Sequence, residues 1–98
     1  MTPEEIKKHV IREIKTFPKT YKVINDNSDE SYITCEVRLD GGVNGKLKIQ
    51  ILTNDGNKVE LIEEIDDSSI LYRNPYRKII QDDLLYFQNE VNKLFVTT

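Results

Sequence analysis

The chain has 98 residues, of which 38% are hydrophobic and 32% charged, and its formal net charge is -3. This length predicts a single domain over residues 1–98, and the composition is that of globular rather than disordered proteins. A single cysteine excludes an intramolecular disulfide and any zinc site built from several cysteines. It fits the reducing cytoplasm, although a secreted protein without disulfides would have the same composition.

The N-terminal sequence has acidic residues where a signal peptide has a basic segment followed by an apolar one. No apolar stretch approaches the length that crosses a membrane. We therefore expect a soluble cytoplasmic protein that does not enter the membrane.

Charge is unevenly distributed along the chain. Residues 1–24 carry six basic and three acidic groups, whereas residues 25–67 carry four basic and eleven acidic groups. Large fields of one sign steer charged partners, so the acidic segment favours a basic or nucleic-acid-binding protein partner over direct contact with nucleic acid. A solvated surface without a partner is the alternative.

A first helix is predicted at the start of the chain. Thr2 is a good N-cap, Pro3 suits the first helical position, and Glu5 completes a capping box. Pro18 disfavours helical geometry at the preceding residue, so we expect the helix to end at Phe17. The residues expected to face the core are Ile6, Val10, Ile14 and Phe17. The basic residues on the opposite side are Lys7, Lys8, Arg12 and Lys15.

Four segments with strand character follow. They lie at residues 21–24, 31–39, 45–51 and 58–62. Apolar and polar residues alternate in the second and third segments, which predicts antiparallel strands with one dry and one wet face. Polar connections at 25–30, 40–45 and 54–57 predict a meander of hairpins. The glycine-rich connection at 40–45 joins two strands, so we interpret it as a hairpin turn and not as a phosphate-binding loop.

The second helix is predicted to start at Asn74, as the cap, followed by Pro75. Its apolar series, which keeps helical spacing to the end of the chain, is Tyr76, Ile80, Leu84, Phe87, Val91 and Leu94. Further apolar residues, among them Ile79 and Leu85, widen this face, either to contact the first helix or to bind a partner or a second copy. Residues 68–73 fit a short strand, a helical turn or a loop.

The order of elements predicts an α+β fold, α-β-β-β-β-α, with an antiparallel meander of three or four strands and both helices on one face. This order resembles double-stranded RNA-binding domains, in which a Gly-Pro loop precedes a lysine-rich start of the second helix. Here that start is Asn74-Pro-Tyr-Arg-Lys78, and the strand segment is acidic. The difference argues against RNA binding.

His9 and Cys35 are the only histidine and cysteine, and a nucleophile with its base would need them within hydrogen-bond reach. Cys35 falls on the apolar row of the second strand, so we expect a buried and inert thiol. The acidic loop at residues 26–30 lacks the glycine and distal glutamate of an EF-hand. We therefore predict no catalytic residue, metal site or cofactor, with an enzyme that uses carboxylates as the least favoured alternative.

Carboxylates and two Tyr-Arg pairs are the predicted partner-binding residues. The acidic candidates are Asp26, Asp29 and Glu30 in the first loop and Glu36, Glu60, Glu63 and Glu64 in or near the sheet. The aromatic and basic candidates at the start of the second helix are Tyr72, Arg73, Tyr76 and Arg77. Aromatic rings beside guanidinium groups are typical of protein hot spots, base stacking and phosphate contacts. Alternatively, these tyrosines cover the core and the sheet edge, and the arginines pair with Asp66 and Asp67.

A pattern over roughly the first forty residues carries a second resemblance. It consists of Ile-Arg-Glu-Ile-Lys from Ile11 to Lys15, a strand with Tyr21 and Val23, and an Ile-Thr strand after an acidic turn. This pattern resembles one family of small anti-CRISPR proteins that inhibit type II-A RNA-guided nucleases. The resemblance implies an acidic α/β inhibitor whose carboxylates replace DNA groups at the PAM-reading arginines of the nuclease.

The sequence therefore favours a small non-enzymatic protein-binding module, an inhibitor or adaptor encoded by a phage or mobile element, that acts through an acidic sheet and loop surface. An anti-CRISPR inhibitor is one alternative. Another is a nucleic-acid-binding domain that uses the first helix and the Tyr-Arg stretch at residues 72–77.

Overall fold

The computed structural model describes residues 2–24, 31–54 and 58–95. Its main elements are α1 (Pro3–Ile14), β1 (Tyr21–Ile24), β2 (Tyr32–Arg38), β3 (Asn44–Asn54), β4 (Lys58–Glu64) and α2 (Tyr76–Asn92). Short 3₁₀ helices lie at Asp40–Gly42, Ile70–Tyr72 and Lys93–Phe95. The predicted α+β fold with the order α-β-β-β-β-α is confirmed.

The four strands form one antiparallel sheet in the order β1-β2-β3-β4. The register places Cys35 opposite both Val23 and Leu47, and Ile33 opposite Ile49, so apolar side chains of neighbouring strands meet on one face. The buried residues of β2, β3 and β4 on this face are Ile33, Cys35, Val37, Leu47, Ile49, Ile51, Val59 and Leu61. The predicted apolar row is confirmed, because alternation with period two sends every second side chain to the same face.

Both helices cover this apolar face. Helix α1 contributes Ile6, Val10 and Ile14, and α2 contributes Ile80, Leu84, Phe87 and Val91, all of them buried. Helix α2 packs against α1 on one side and against β4 on the other. Phe17 and Phe87, with ring centroids 5.1 Å apart, join the end of the α1 segment to α2.

The capping box predicted for α1 is confirmed, because the Thr2 hydroxyl accepts from the Glu5 amide and the Glu5 carboxylate accepts from the Thr2 amide. The predicted end at Phe17 is wrong, since the helix ends at Ile14. The amides of Thr16 and Phe17 bond to carbonyls three residues earlier, which tightens the last turn before Pro18 is reached.

Other predicted boundaries are also wrong. Strand β3 runs over Asn44–Asn54, beyond the predicted residues 45–51. Strand β4 continues to Glu64, because Glu63 and Glu64 still pair with β3. Helix α2 begins at Tyr76, with Pro75 in the cap position and no capping bond from a side chain. Leu94 does not continue the buried stripe, since it lies in the final 3₁₀ helix and is 52% exposed.

The ambiguous residues 68–73 include the 3₁₀ helix Ile70–Tyr72, in which Leu71 is fully buried. Leu71 packs directly on Gly45 of β3, where a Cβ would lie 2.8 Å from Leu71 Cδ1. The predicted hairpin at 40–45 is confirmed, with Gly41 and Gly42 at positive φ. The predicted turn at 25–30, and residues 55–57 of the turn at 54–57, lie outside the described residues.

Side chains of α2 cover the outer edge of β4. The Asn92 side chain accepts from the Val59 amide at 2.7 Å and donates to the Val59 carbonyl at 3.0 Å. The Gln88 side chain accepts from the Leu61 amide at 3.0 Å. Strand β4 is the last strand of the sheet, so these bonds occupy groups that could otherwise pair with another chain.

Candidate functional site

The sheet face opposite the helices is the candidate binding surface, and we call it the outer face. Its side chains alternate with the buried ones and are exposed or half-buried, and no helix of the described residues packs on them. It comprises Lys22, Ile24, Tyr32, Thr34, Glu36, Arg38, Asn44, Lys46, Lys48, Gln50, Leu52, Lys58, Glu60, Ile62 and Glu64.

The predicted acidic character of the sheet is wrong for the outer face. The described basic residues of this face are Lys22, Arg38, Lys46, Lys48 and Lys58. Its described acidic residues are Glu36, Glu60 and Glu64. Only three of the eleven carboxylates of residues 25–67 are described on this face, so the charge of the segment does not represent the charge of the face.

A groove of about 550 Å³, which we call the basic groove, is lined by one end of the outer face together with the α1–β1 connection. Four of its lining residues are basic: Lys19, Lys22, Arg38 and Lys46. Glu36 is the one carboxylate among the lining residues, and the register places it between Lys22 and Lys46. Within the described residues, none of the four basic side chains forms an ion pair.

The other end of the outer face is more apolar. Tyr32 and Ile62 both lie opposite Gln50, on its two sides, and Leu52 in the next row is 38% exposed. The Lys48 ammonium lies over the Tyr32 ring, 4.1 Å from its centroid. One side of the Tyr32 ring is therefore already in a cation–π contact.

Glu63, one of the predicted acidic candidates, lies on the opposite side of the sheet. It pairs with Ile49 and reaches α2, where its carboxylate accepts from Arg77 Nε at 3.2 Å and from Gln81 Nε2 at 2.9 Å. Partial burial acts to raise the pKa of Glu63, but the bonds from Gln81 and Arg77 leave that pKa below its usual value. Glu63 is therefore a structural ion-pair partner.

The Tyr-Arg stretch is engaged within the molecule. The Arg77 guanidinium lies 4.4 Å from the centroid of the Tyr72 ring, while Arg73 is exposed and Tyr76 half-buried. The predicted pairing of Arg77 with Asp66 or Asp67 is wrong, because Arg77 pairs with Glu63. Asp66 instead accepts from the amide and hydroxyl of Ser68.

The structure does not gather the acidic candidates into one site. Asp26, Asp29 and Glu30 lie outside the described residues. Glu60 and Glu64 are on β4, and Glu36 is on β2 between two lysines.

Cys35 is fully buried, and its burial raises the pKa of the thiol to about 12. The prediction of a buried, inert thiol is confirmed, because such a group stays protonated at neutral pH.

His9 is half-buried on α1. Among the described residues there is no group of three or more His, Cys, Asp or Glu side chains that could hold a metal ion. Nor does any described helix have the length and apolar content needed to cross a bilayer.

Sequence reasoning missed the basic groove. Its four basic residues come from the α1–β1 connection and from three different strands, so no local run of charge marks it. The sequence did contain one signal for it. Lys22, Arg38 and Lys46 each alternate with buried residues along their strands, so their side chains must face outwards.

No family model and no curated protein matches this chain. The resemblance to anti-CRISPR inhibitors therefore stays a prediction.

Proposed function

We propose that this protein is a non-enzymatic binding module whose outer face receives a partner protein. The observation that carries the proposal is the placement of both helices on one side of the sheet. The outer face combines the partly exposed apolar residues Tyr32, Leu52 and Ile62 with surrounding charged residues. Protein interfaces commonly have such an apolar centre and polar rim.

The size of the outer face sets a condition on the partner. Four strands at a spacing of about 4.8 Å, with about 3.3 Å per residue along them, give a face of roughly 500 Å². A standard interface buries about 800 Å² on each partner. The partner should therefore also contact residues beyond the outer face, or bind weakly.

Inhibition of another protein, including an RNA-guided nuclease, is one form that this binding would take. DNA mimicry through the sheet is less favoured, since Glu36, Glu60 and Glu64 are interspersed with lysines. Direct nucleic-acid binding through the Tyr-Arg stretch is also less favoured, because Arg77 already contacts Tyr72 and Glu63. A cytoplasmic location is part of the proposal, and a single, buried cysteine is compatible with it.

Affinity capture with matched surface variants tests the proposal. The outer-face variant combines Leu52→Glu with Ile62→Glu, and the control combines Ile79→Glu with Leu85→Glu on exposed positions of α2. Both introduce two carboxylates. Because Ile62 is half-buried, circular dichroism of the outer-face variant should first match that of the wild type. We expect the wild type and the control to recover the same stoichiometric partner from an extract of the source organism, and the outer-face variant to lose it.

Three outcomes would contradict the proposal. Recovery of no stoichiometric partner by the wild type would remove its basis. Loss of the partner in the α2 variant alone would move the interface to α2. A second copy of the chain as the recovered species would point to a homodimer through α2, where Ile79 and Tyr86 are exposed two helical turns apart.

A further inference from the structure

The basic groove differs in charge from the rest of the molecule. Its lining residues Lys19, Lys22, Arg38, Lys46 and Glu36 give it a net charge of +3. The whole chain carries -3, so the remainder carries -6. A local field opposite in sign to the rest of the surface attracts a short anionic segment and repels a long polyanion.

We propose that the basic groove binds a short acidic peptide segment of the partner protein, an inference that rests on the proposed function and names the chemistry of its partner. The volume of about 550 Å³ lies within the roughly 300–1,000 Å³ typical of ligand clefts. Arg38 offers a planar guanidinium that can hold a carboxylate through two hydrogen bonds.

The spacing of the basic residues suits an extended segment. Lys22 and Lys46 lie in one row, two strand spacings apart, which is roughly 10 Å between their backbones. In an extended peptide, side chains on one side repeat about every 6.6 Å. Flexible lysine side chains can bridge the difference, so alternate Asp or Glu residues would meet Lys22, Arg38 and Lys46 in turn.

Nucleic acid fits the groove less well. The one aromatic residue among its lining residues, Tyr21, is 2% exposed, and its hydroxyl donates to Asp83 at 2.7 Å. No base can therefore stack on it. A strand long enough to leave the groove along the face would meet Glu60 and Glu64 as well as Lys48 and Lys58, so these residues add no net positive charge for its phosphates.

Fluorescence anisotropy with two labelled probes, hexaglutamate peptide and a dT6 oligonucleotide, tests the inference at low salt. The groove variant combines Lys22→Gln, Arg38→Gln and Lys46→Gln. The matched control combines Lys8→Gln, Arg12→Gln and Lys15→Gln, which are exposed positions of α1 and its C-cap, outside the groove. Both variants replace two lysines and one arginine, so they have the same net charge.

We expect the wild type to bind hexaglutamate more tightly than dT6. The groove variant should lose about tenfold in peptide affinity, since each exposed ion pair contributes a factor of about two. The control should change by less than about twofold. Circular dichroism of both variants should match the wild type, because every substituted side chain is exposed.

Three results would overturn the inference. Equal losses in the two variants would show unspecific charge attraction, and tighter binding of dT6 would assign the groove to nucleic acid. Dimerisation that the groove variant abolishes would assign it to residues 26–30 of a second copy. These probes need no captured partner. The inference about the groove can therefore be contradicted while the capture experiment supports the proposed function, and the reverse.

Discussion

At the scale of single residues, the contact between Tyr21 and Asp83 carries the clearest electrostatic consequence. The Tyr21 hydroxyl donates to the Asp83 carboxylate at 2.7 Å and so joins β1 to α2. Burial raises the pKa of both groups above their usual values, although the bond from Tyr21 partly offsets this for Asp83. The fold therefore disfavours the ionised form of Asp83.

Replacement of Asp83 by asparagine tests this reasoning. An acid whose pKa is raised in the folded state contributes most below its unfolded pKa, and that contribution is lost as the pH rises through the folded pKa. The carboxamide introduced by this substitution would keep an acceptor for Tyr21 without the desolvated charge. We expect Asp83→Asn to be as stable as the wild type or more stable at pH 7, with the difference shrinking towards pH 3.

Urea denaturation at several pH values measures this effect. Asp40→Asn, at an exposed position in the β2–β3 connection, is the control and should show no comparable trend. A loss of more than about 1 kcal/mol in Asp83→Asn at pH 7 would mean that the charged hydrogen bond outweighs desolvation.

At the scale of elements, the polar side of α2 explains how the sheet ends. Asn92 and Gln88 bond to backbone groups of Val59 and Leu61, and Arg77 and Gln81 bond to Glu63. Helix α2 thus acts on β4 as an additional strand would, but through side chains. This leaves the outer face accessible while it protects the β4 edge.

Removal of the Asn92 side chain should show how much its bonds to the edge of β4 contribute to stability. Asn92→Ala leaves the amide and carbonyl of Val59 without their partner, so we expect a loss of about 1 to 3 kcal/mol in the free energy of unfolding. Asn89→Ala, on the exposed side of the same helix, should change it by less than about 0.5 kcal/mol. Equal effects in chemical denaturation would contradict the role assigned to Asn92.

The elements themselves were largely predictable from local sequence. Alternation around Cys35 predicts which strand residues are buried, and the Thr2–Glu5 capping box predicts the start of α1, because both depend on residues close in the chain. The face on which Glu63 lies was missed, since it depends on β4 continuing past Ile62. Its pairing with Arg77 and the assembly of the basic groove are tertiary contacts that no local pattern encodes.

At the scale of the whole molecule, the apolar core and the charged surface occupy different regions. The helices and the buried face of the sheet form the core, while the outer face presents a basic end and a more apolar end. The net charge of -3 hides this division, because most of the carboxylates in the described residues lie outside the strands. A partner should therefore combine an acidic segment with an apolar patch.

Titration of the ¹⁵N-labelled protein with its captured, unlabelled partner tests whether the outer face is the binding surface, by mapping which amide resonances move in NMR spectra. We expect the largest shifts on outer-face residues such as Thr34, Glu36 and Lys46. Shifts confined to exposed positions of α1 or α2, with the outer face unchanged, would contradict it.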